Sequence, residues 1–363
     1  GLASQAMLWT KSNLYTKHFY GPDCYAFTLP LLVASKHPVR GSAIINVIEI
    51  FQETLSGFVF LLYRRPKYVI IQNHRFFLLL FLTILFYSNI FKSRVIWDLR
   101  ELPNGFMRGK FRIMFINFLF RKCSSILVAN ESRLDYMCQL YGVDSLKHAR
   151  VVSNFENSSF VTAQKRPLST SISSFLSGRK YLYLQNPFDL DRGIVESLSL
   201  ISKHRDFCLL VSGKIPKHII EYVTSLYGHS FIESNVFITG WVDDLSLVSY
   251  VDNAYASIVM YKYINNPSRY HSLNNRYAAS NSLYQTLCRG TPVIVGCNEG
   301  MSRIVSDLGV GIVMNDDGSS DEIIKSFEKL KRDYVSIKDT CISKKDVLSW
   351  ESQERVLTDA VFG

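Results

Sequence analysis

Residues 278–296 read A-A-S-N-S-L-Y-Q-T-L-C-R-G-T-P-V-I-V-G, and this stretch decides the fold. Small polar residues give way at about Asn281 to a helical run that stops at Gly290, and Thr291-Pro292 then leads into an apolar strand over residues 292–295. Glycine closes a helix because it takes up left-handed backbone without a clash, and proline cannot continue one. Helix, glycine turn and buried strand in that order make one unit of a parallel α/β sheet. The N–H groups and dipole at the helix start suit an anion such as a diphosphate. The same unit recurs throughout α/β proteins, so the rest of the chain has to supply the function.

Working outward, the second half repeats this rhythm. Strands are expected at 180–184, 207–212, 236–239, 256–260 and 311–313, and helices at about 193–203, 216–227, 243–252, 281–289, 299–307 and 320–332. The first half alternates in the same way, with strands at 24–28, 68–72, 94–98, 125–129 and 150–152 and helices at about 43–63, 76–91, 107–122 and 131–141. This is the pattern of parallel sheets with crossover helices. Between the halves, residues 154–178 are polar and rich in Ser and Thr. The expected organisation is an acceptor-side domain over 1–160, a linker over 161–178 and a donor domain over 179–343. A C-terminal helix over 344–363 would pack across both.

Length and composition agree. A chain of 363 residues suits two domains, and 47% hydrophobic with 20% charged residues excludes a disordered chain. The net charge of +10 favours an anionic partner: phosphate, nucleic acid or an acidic lipid surface. Seven scattered cysteines without a C-x-x-C pair point to a reduced compartment and to neither a zinc site nor a disulfide framework. No RNA- or DNA-binding module is recognisable, so nucleic acid is not an expected partner. The start at Gly1, without an initiator methionine, suits a fragment or an added remnant.

The order of segments resembles the family-4-like glycosyltransferases of the GT-B fold over nearly the whole chain, most clearly over 181–313. The matching segments are Y-L-Y-L-Q-N-P-F-D-L-D-R-G (181–193), L-L-V-S-G (209–213), V-F-I-T-G-W-V (236–242) and the donor signature over 280–294. The resemblance implies two Rossmann-like parallel-sheet domains facing an interdomain cleft. It implies transfer of a hexosyl group from a nucleotide sugar, UDP- or GDP-linked, to a lipid-linked glycan in cell-surface polysaccharide synthesis. No cofactor or metal is implied, and retention of configuration is the family tendency. Ser280, Asn281, Ser282, Leu283 and Gln285 then fall at the donor. Gln285 stands where the family carries a ribose-binding Glu, Ser282 where it carries Lys, and Tyr277 at the second acidic position.

Among the charged residues, Arg192, next to Gly193, offers fixed donors to phosphate oxygens, with Lys214 assisting. The alternative is that Arg192 only caps the following helix. Asp98 ends an expected strand, where open α/β sheets place their ligands, and with Arg100 and Glu101 would orient an acceptor hydroxyl or take its proton; it could equally cap its loop. His74 ends another strand of the same half. D-L-D (189–191) has the look of a metal-binding D-x-D, but the diphosphate is already assigned to Arg192. N-D-D-G-S-S-D-E (315–322) reads as a turn and helix cap.

Residues 74–87, overlapping the long apolar run 76–91, and residues 107–122 combine apolar mass with flanking Arg and Lys. They fit helices lying on an anionic membrane surface, on the inner face of the plasma membrane, or ordinary crossover helices. The first run falls short of the about twenty residues that a span requires. Two rival functions stay open: a GT-B sugar-nucleotide epimerase, and a non-catalytic scaffold of the same fold, which Gln285 and Ser282 keep in view.

Overall fold

The computed structural model describes residues 6–9, 25–26, 43–72, 77–102, 110–264, 269–316 and 318–363. Contacts divide the chain into two compact units, Gly1–Val152 with Arg355–Gly363, and Ser153–Glu354. Each is a parallel sheet with crossover helices.

In the first unit the sheet runs β2 (Tyr25–Ala26), β1 (Ala6–Trp9), β3 (Tyr68–Gln72), β4 (Arg94–Leu99), β5 (Ser125–Val128), β6 (Ala149–Val151), every pair parallel. Ile70, Ile71, Ile96, Trp97, Ile126 and Leu127 are buried as consecutive neighbours, the mark of strands covered on both faces. Trp97 packs on Phe120 of the helix Lys110–Lys122 at a ring distance of 5.2 Å. Gly142, with φ of 85°, ends the helix Glu131–Tyr141 and donates its N–H to the Cys138 carbonyl, as expected. The helix expected over 76–91 is interrupted. Phe77–Leu82 passes through a π-helical turn, Thr83–Tyr87, before Ser88–Phe91, and the Thr83 and Ser88 hydroxyls each donate to the carbonyl four residues back.

In the second unit the order is β12 (Gly311–Val313), β11 (Val293–Val295), β10 (Ala256–Val259), β7 (Lys180–Gln185), β8 (Phe207–Ser212), β9 (Val236–Ile238), again all parallel. Side chains alternate between two cores. Tyr181, Tyr183, Cys208 and Leu210 face one; Leu182, Leu184, Leu209 and Val211 face the other.

The linker reading needs correction. Ser158–Val161 and Thr170–Leu176 are helices, capped by Asn157 and Ser169, and Phe160, Val161, Ile172 and Leu176 belong to a core of the second unit. Apolar residues spaced among serines carry the packing, while the average composition stays polar. The boundary therefore falls at Val152, not within 161–178. The C-terminal stretch is also not one helix: 3-10 turns at Lys345–Leu348 and Trp350–Gln353 precede Glu354–Phe362. Trp350 N–H donates to the Glu156 carbonyl in the second unit, whereas Phe362 packs on Tyr68 in the first.

Ile172→Ala is expected to cost about 2–5 kcal/mol, the range for truncating a buried aliphatic side chain, and to lower the urea midpoint accordingly. A change within about 0.5 kcal/mol, typical of surface sites, would return this segment to the status of a tether.

Candidate functional site

β7 lies in the middle of the second sheet. From it the chain steps to β8 and β9 on one side, then crosses to β10, β11 and β12 on the other. Open α/β sheets bind ligands outside the carboxyl ends of the strands at such a reversal, so the loops after β7 and β10 are the place to look.

The loop after β7 is tightly held. Asn186 takes a left-handed φ of 51° and donates its N–H to the Ser212 carbonyl at the end of β8. Asp189 caps the turn Leu190–Arg192 through the Leu190 N–H, so the D-L-D motif serves local structure at its first residue. Asp191 accepts from the Asn275 amide at 2.7 Å, and its carbonyl accepts from the Lys262 N–H. Lys262 in turn pairs with the buried Glu196.

Arg192 ends this turn with its guanidinium 3.5 Å from the centroid of the Tyr261 ring and 4.7 Å from that of Phe188. Cation–π contact on two rings fixes its plane without using its N–H groups. Nε lies 3.0 Å from Asp191 Oδ1, a contact of charges rather than a hydrogen bond, and both Nε and Nη1 are buried without a hydrogen-bond acceptor. Arg192 is thus oriented and partly uncommitted, not spent on a cap. Gly193, with φ of 82°, begins the helix Ile194–Lys203. A Cβ there would stand 2.8 Å from Met260 Sδ, so only glycine lets the turn close on the end of β10.

Lys214 is exposed just beyond β8 and makes no hydrogen bond or ion pair among the described residues. It follows Gly213, where a Cβ would fall 1.9 Å from Asn186 Oδ1. Gln285 reaches the same strand end: Gln185, the last residue of β7, donates to Gln285 Oε1 at 2.9 Å. Arg192, Gly193, Lys214 and Gln285 therefore converge around the carboxyl end of β7.

The remaining donor-side residues divide. Ser280 caps the helix Asn281–Leu287, its hydroxyl accepting the Leu283 N–H at 3.2 Å and lying 2.9 Å from Ser282 Oγ. Asn281 is exposed, while the Leu283 side chain is wholly in the core. With its N–H taken by Ser280 and its side chain buried, Leu283 has a packing role. In the first unit, Asp98 is 1% exposed, with Oδ2 accepting from Arg100 Nε at 3.0 Å and from Gln72 at 3.3 Å. The Arg100 carbonyl accepts from Arg133. Asp98 is built into this network, and Glu101 beside it is exposed. His74 lies outside the described residues. Among the described residues no cluster of His, Cys, Asp and Glu is arranged to hold a metal ion.

One site residue escaped the sequence reading. Glu156 Oε1 accepts from Gln285 Nε2 at 2.9 Å, completing a chain Gln185–Gln285–Glu156. Burial pushes its carboxyl above the usual range; the Gln285 hydrogen bond opposes this, and the Asp244 charge adds to it. Phe155 beside it packs edge-on against Tyr284 at 5.0 Å, and such an aromatic inside a polar stretch was the available signal.

No family model matches the chain, and no curated protein sequence matches it. Solved structures do. A sucrose-phosphate synthase from Thermosynechococcus elongatus superposes with a TM-score of 0.70 at 13% identity, covering 93% of this chain and 83% of the other. Anabaena Alr3699/HepE, solved in complex with UDP, gives 0.63 at 11% identity over 98% of both chains. WaaG, a glycosyltransferase involved in lipopolysaccharide biosynthesis, gives 0.62 at 12% identity over 99% of this chain and 91% of the other. The fold is that of the GT-B glycosyltransferases, with two parallel-sheet α/β domains.

The raised Glu156 carboxyl makes stability depend on pH. Between the unfolded value near 4.3 and the higher folded one, the folded state holds more protons than the unfolded, so stability falls as pH rises through that window. Glu156→Gln keeps an acceptor for Gln285 and removes the titration. Its melting temperature is expected to exceed that of the wild type at pH 7 and to match it near pH 4; equal gains at both would remove Glu156 as the cause.

Proposed function

We propose that this chain is a glycosyltransferase that takes a hexosyl group from a nucleotide sugar and delivers it to a lipid-linked glycan in cell-surface polysaccharide synthesis. The observation that carries the reading is Arg192, held between Tyr261 and Phe188 with donors free at the carboxyl end of β7. A diphosphate placed there gains charge as the bond to the sugar breaks, and a fixed guanidinium with the Lys214 ammonium nearby stabilises that charge without rearranging. Two basic side chains thus take the task a metal ion would otherwise perform. Retention of configuration rests on the resemblance alone. Gln285 keeps one donor and one acceptor beyond its bonds to Gln185 and Glu156, enough for ribose hydroxyls. UDP is the first donor base to test, since HepE was solved with it. The acceptor is assigned to the first unit, where Glu101 is the exposed carboxylate and the Asp98–Arg100 pair sets its loop.

The test is thermal stabilisation by UDP, GDP, dTDP and CMP. One of the diphosphates is expected to stabilise the wild type, by about 2.7 kcal/mol at a hundredfold excess over Kd. Arg192→Ala should weaken it by about 1.5–3 kcal/mol, the worth of a charged hydrogen bond. A scaffold would show nucleotide binding without hydrolysis or transfer of the sugar. Unchanged affinity in Arg192→Ala would remove the site.

The membrane part of the reading rests on the helix Lys110–Lys122. Phe81 packs on its Phe115 and Phe118, while Phe111 and Met114 are 73% and 64% exposed beside Lys110. Apolar side chains flanked by cations suit an anionic bilayer surface. None of the described helices is long and apolar enough to cross a membrane. Flotation with anionic vesicles is expected to recover the wild type and to drop several-fold for a Phe111→Ser/Met114→Ser double variant. Equal flotation of both proteins would place the contact elsewhere.

A further inference from the structure

At the amino ends of β10 and β11, the edge of the second sheet opposite the candidate site, lies a cavity of about 310 Å³. Its wall includes Lys165, Asp252, Arg289, Lys338 and Lys345. Four cationic side chains thus surround one carboxylate. That carboxylate is fully claimed: Arg289 Nε and Nη2 bind the two Asp252 oxygens at 2.8 and 2.6 Å. The other Arg289 donors go to the carbonyls of Phe160, Val161 and Ala163. Arg289 and Asp252 therefore neutralise each other inside the wall.

Three ammonium groups remain. Lys338 Nζ donates to the Gly290 carbonyl at 2.7 Å and Lys165 Nζ to the Asp252 carbonyl at 3.3 Å, one bond each of the three an ammonium can make. Lys345 makes none, and none of the three has a carboxylate partner among the described residues. Burial, with Lys165 adding repulsion and Cys341 and Asp252 opposing it, pushes the Lys338 ammonium below the ordinary lysine range. Three ammonium groups on one concave wall concentrate positive charge there, and an anion entering between them would relieve their mutual repulsion.

We propose that this cavity binds a compact phosphorylated anion of two or more negative charges, as a site separate from the carboxyl end of β7. The volume stands at the low end for ligand pockets, which begin near about 300 Å³, and so favours a phosphoryl or diphosphoryl group with a small organic body over a nucleotide sugar. Val161 and Ile342 in the wall would cover that body. The inference does not depend on the glycosyltransferase reading, because it uses none of the same side chains.

Calorimetric titration of the whole chain with inorganic pyrophosphate tests it. Since pyrophosphate could also enter at Arg192, the titration is done on Arg192→Ala, where binding should persist. Adding Lys165→Gln and Lys345→Gln should weaken it at least about tenfold, as expected for two lost charge contacts, with an unchanged urea midpoint showing that the fold is intact. In the converse arm, K165Q/K345Q with Arg192 present should leave the response to UDP unchanged. Vesicles of phosphatidate distinguish the source: binding displaced by pyrophosphate and lost in K165Q/K345Q makes the ligand a lipid headgroup, and no displacement makes it a soluble anion. Absence of pyrophosphate binding by Arg192→Ala, or equal affinity before and after the two lysine changes, overturns the proposal.

Discussion

How closely the chain can fold over the carboxyl end of β7 is set by two missing methyl groups. At Gly193 a Cβ would press on Met260, and at Gly213 it would fall inside Asn186. Both residues also hold positive φ, 82° and 95°, which any other side chain would strain. With these gaps the β7 loop sits down on β10 on one side and on the end of β8 on the other. Arg192 then meets Tyr261, and Lys214 and Gln185 come to the same rim. Widening either gap would separate groups whose only common feature is that they surround one strand end.

The far end of the same sheet is held differently. Arg289, from the C-R-G-T-P run, binds Asp252 with both side chains almost fully buried, at 8% and 6% exposure. A buried ion pair often fails to recover its desolvation cost, but here the spare guanidinium donors are satisfied by three backbone carbonyls. Those carbonyls belong to residues 160–163, so this arginine adds a polar anchor to the packing of Phe160 and Val161 in holding the apparent linker to the domain. The interaction gives geometry more than stability: it fixes the path of residues 160–163 within the second unit.

This explains what the sequence disclosed and what it hid. β3 and β8 were legible to the residue, because a strand buried on both faces is an unbroken apolar run bounded by polar residues. Ser158–Val161 and Thr170–Leu176 were not, since the first offers the core only Phe160 and Val161, the second only Ile172, Phe175 and Leu176, and the rest of each is serine and threonine. β1 is four residues long and has no periodicity to read. The helix Arg269–Arg276 is mostly polar, with Tyr270 and Leu273 its apolar residues, too few to stand out in the sequence. Of the site, Arg192 and Gly193 were visible as a charged residue beside a turn glycine. Glu156 was marked only by its aromatic neighbour Phe155, because its importance comes from what faces it, more than a hundred residues away.

Glu156 also bears on why position 285 carries an amide. Were residue 285 a glutamate, as the resemblance leads one to expect, its carboxylate would stand against that of Glu156 at the 2.9 Å now spanned by a hydrogen bond. Two carboxylates at that distance in a half-buried site cannot both ionise at neutral pH. An amide removes the conflict, accepting from Gln185 on one side and donating to Glu156 on the other, so the network keeps one negative charge and its orientation. With an amide at 285, the one carboxylate of this network is carried by Glu156, on another element of the same unit.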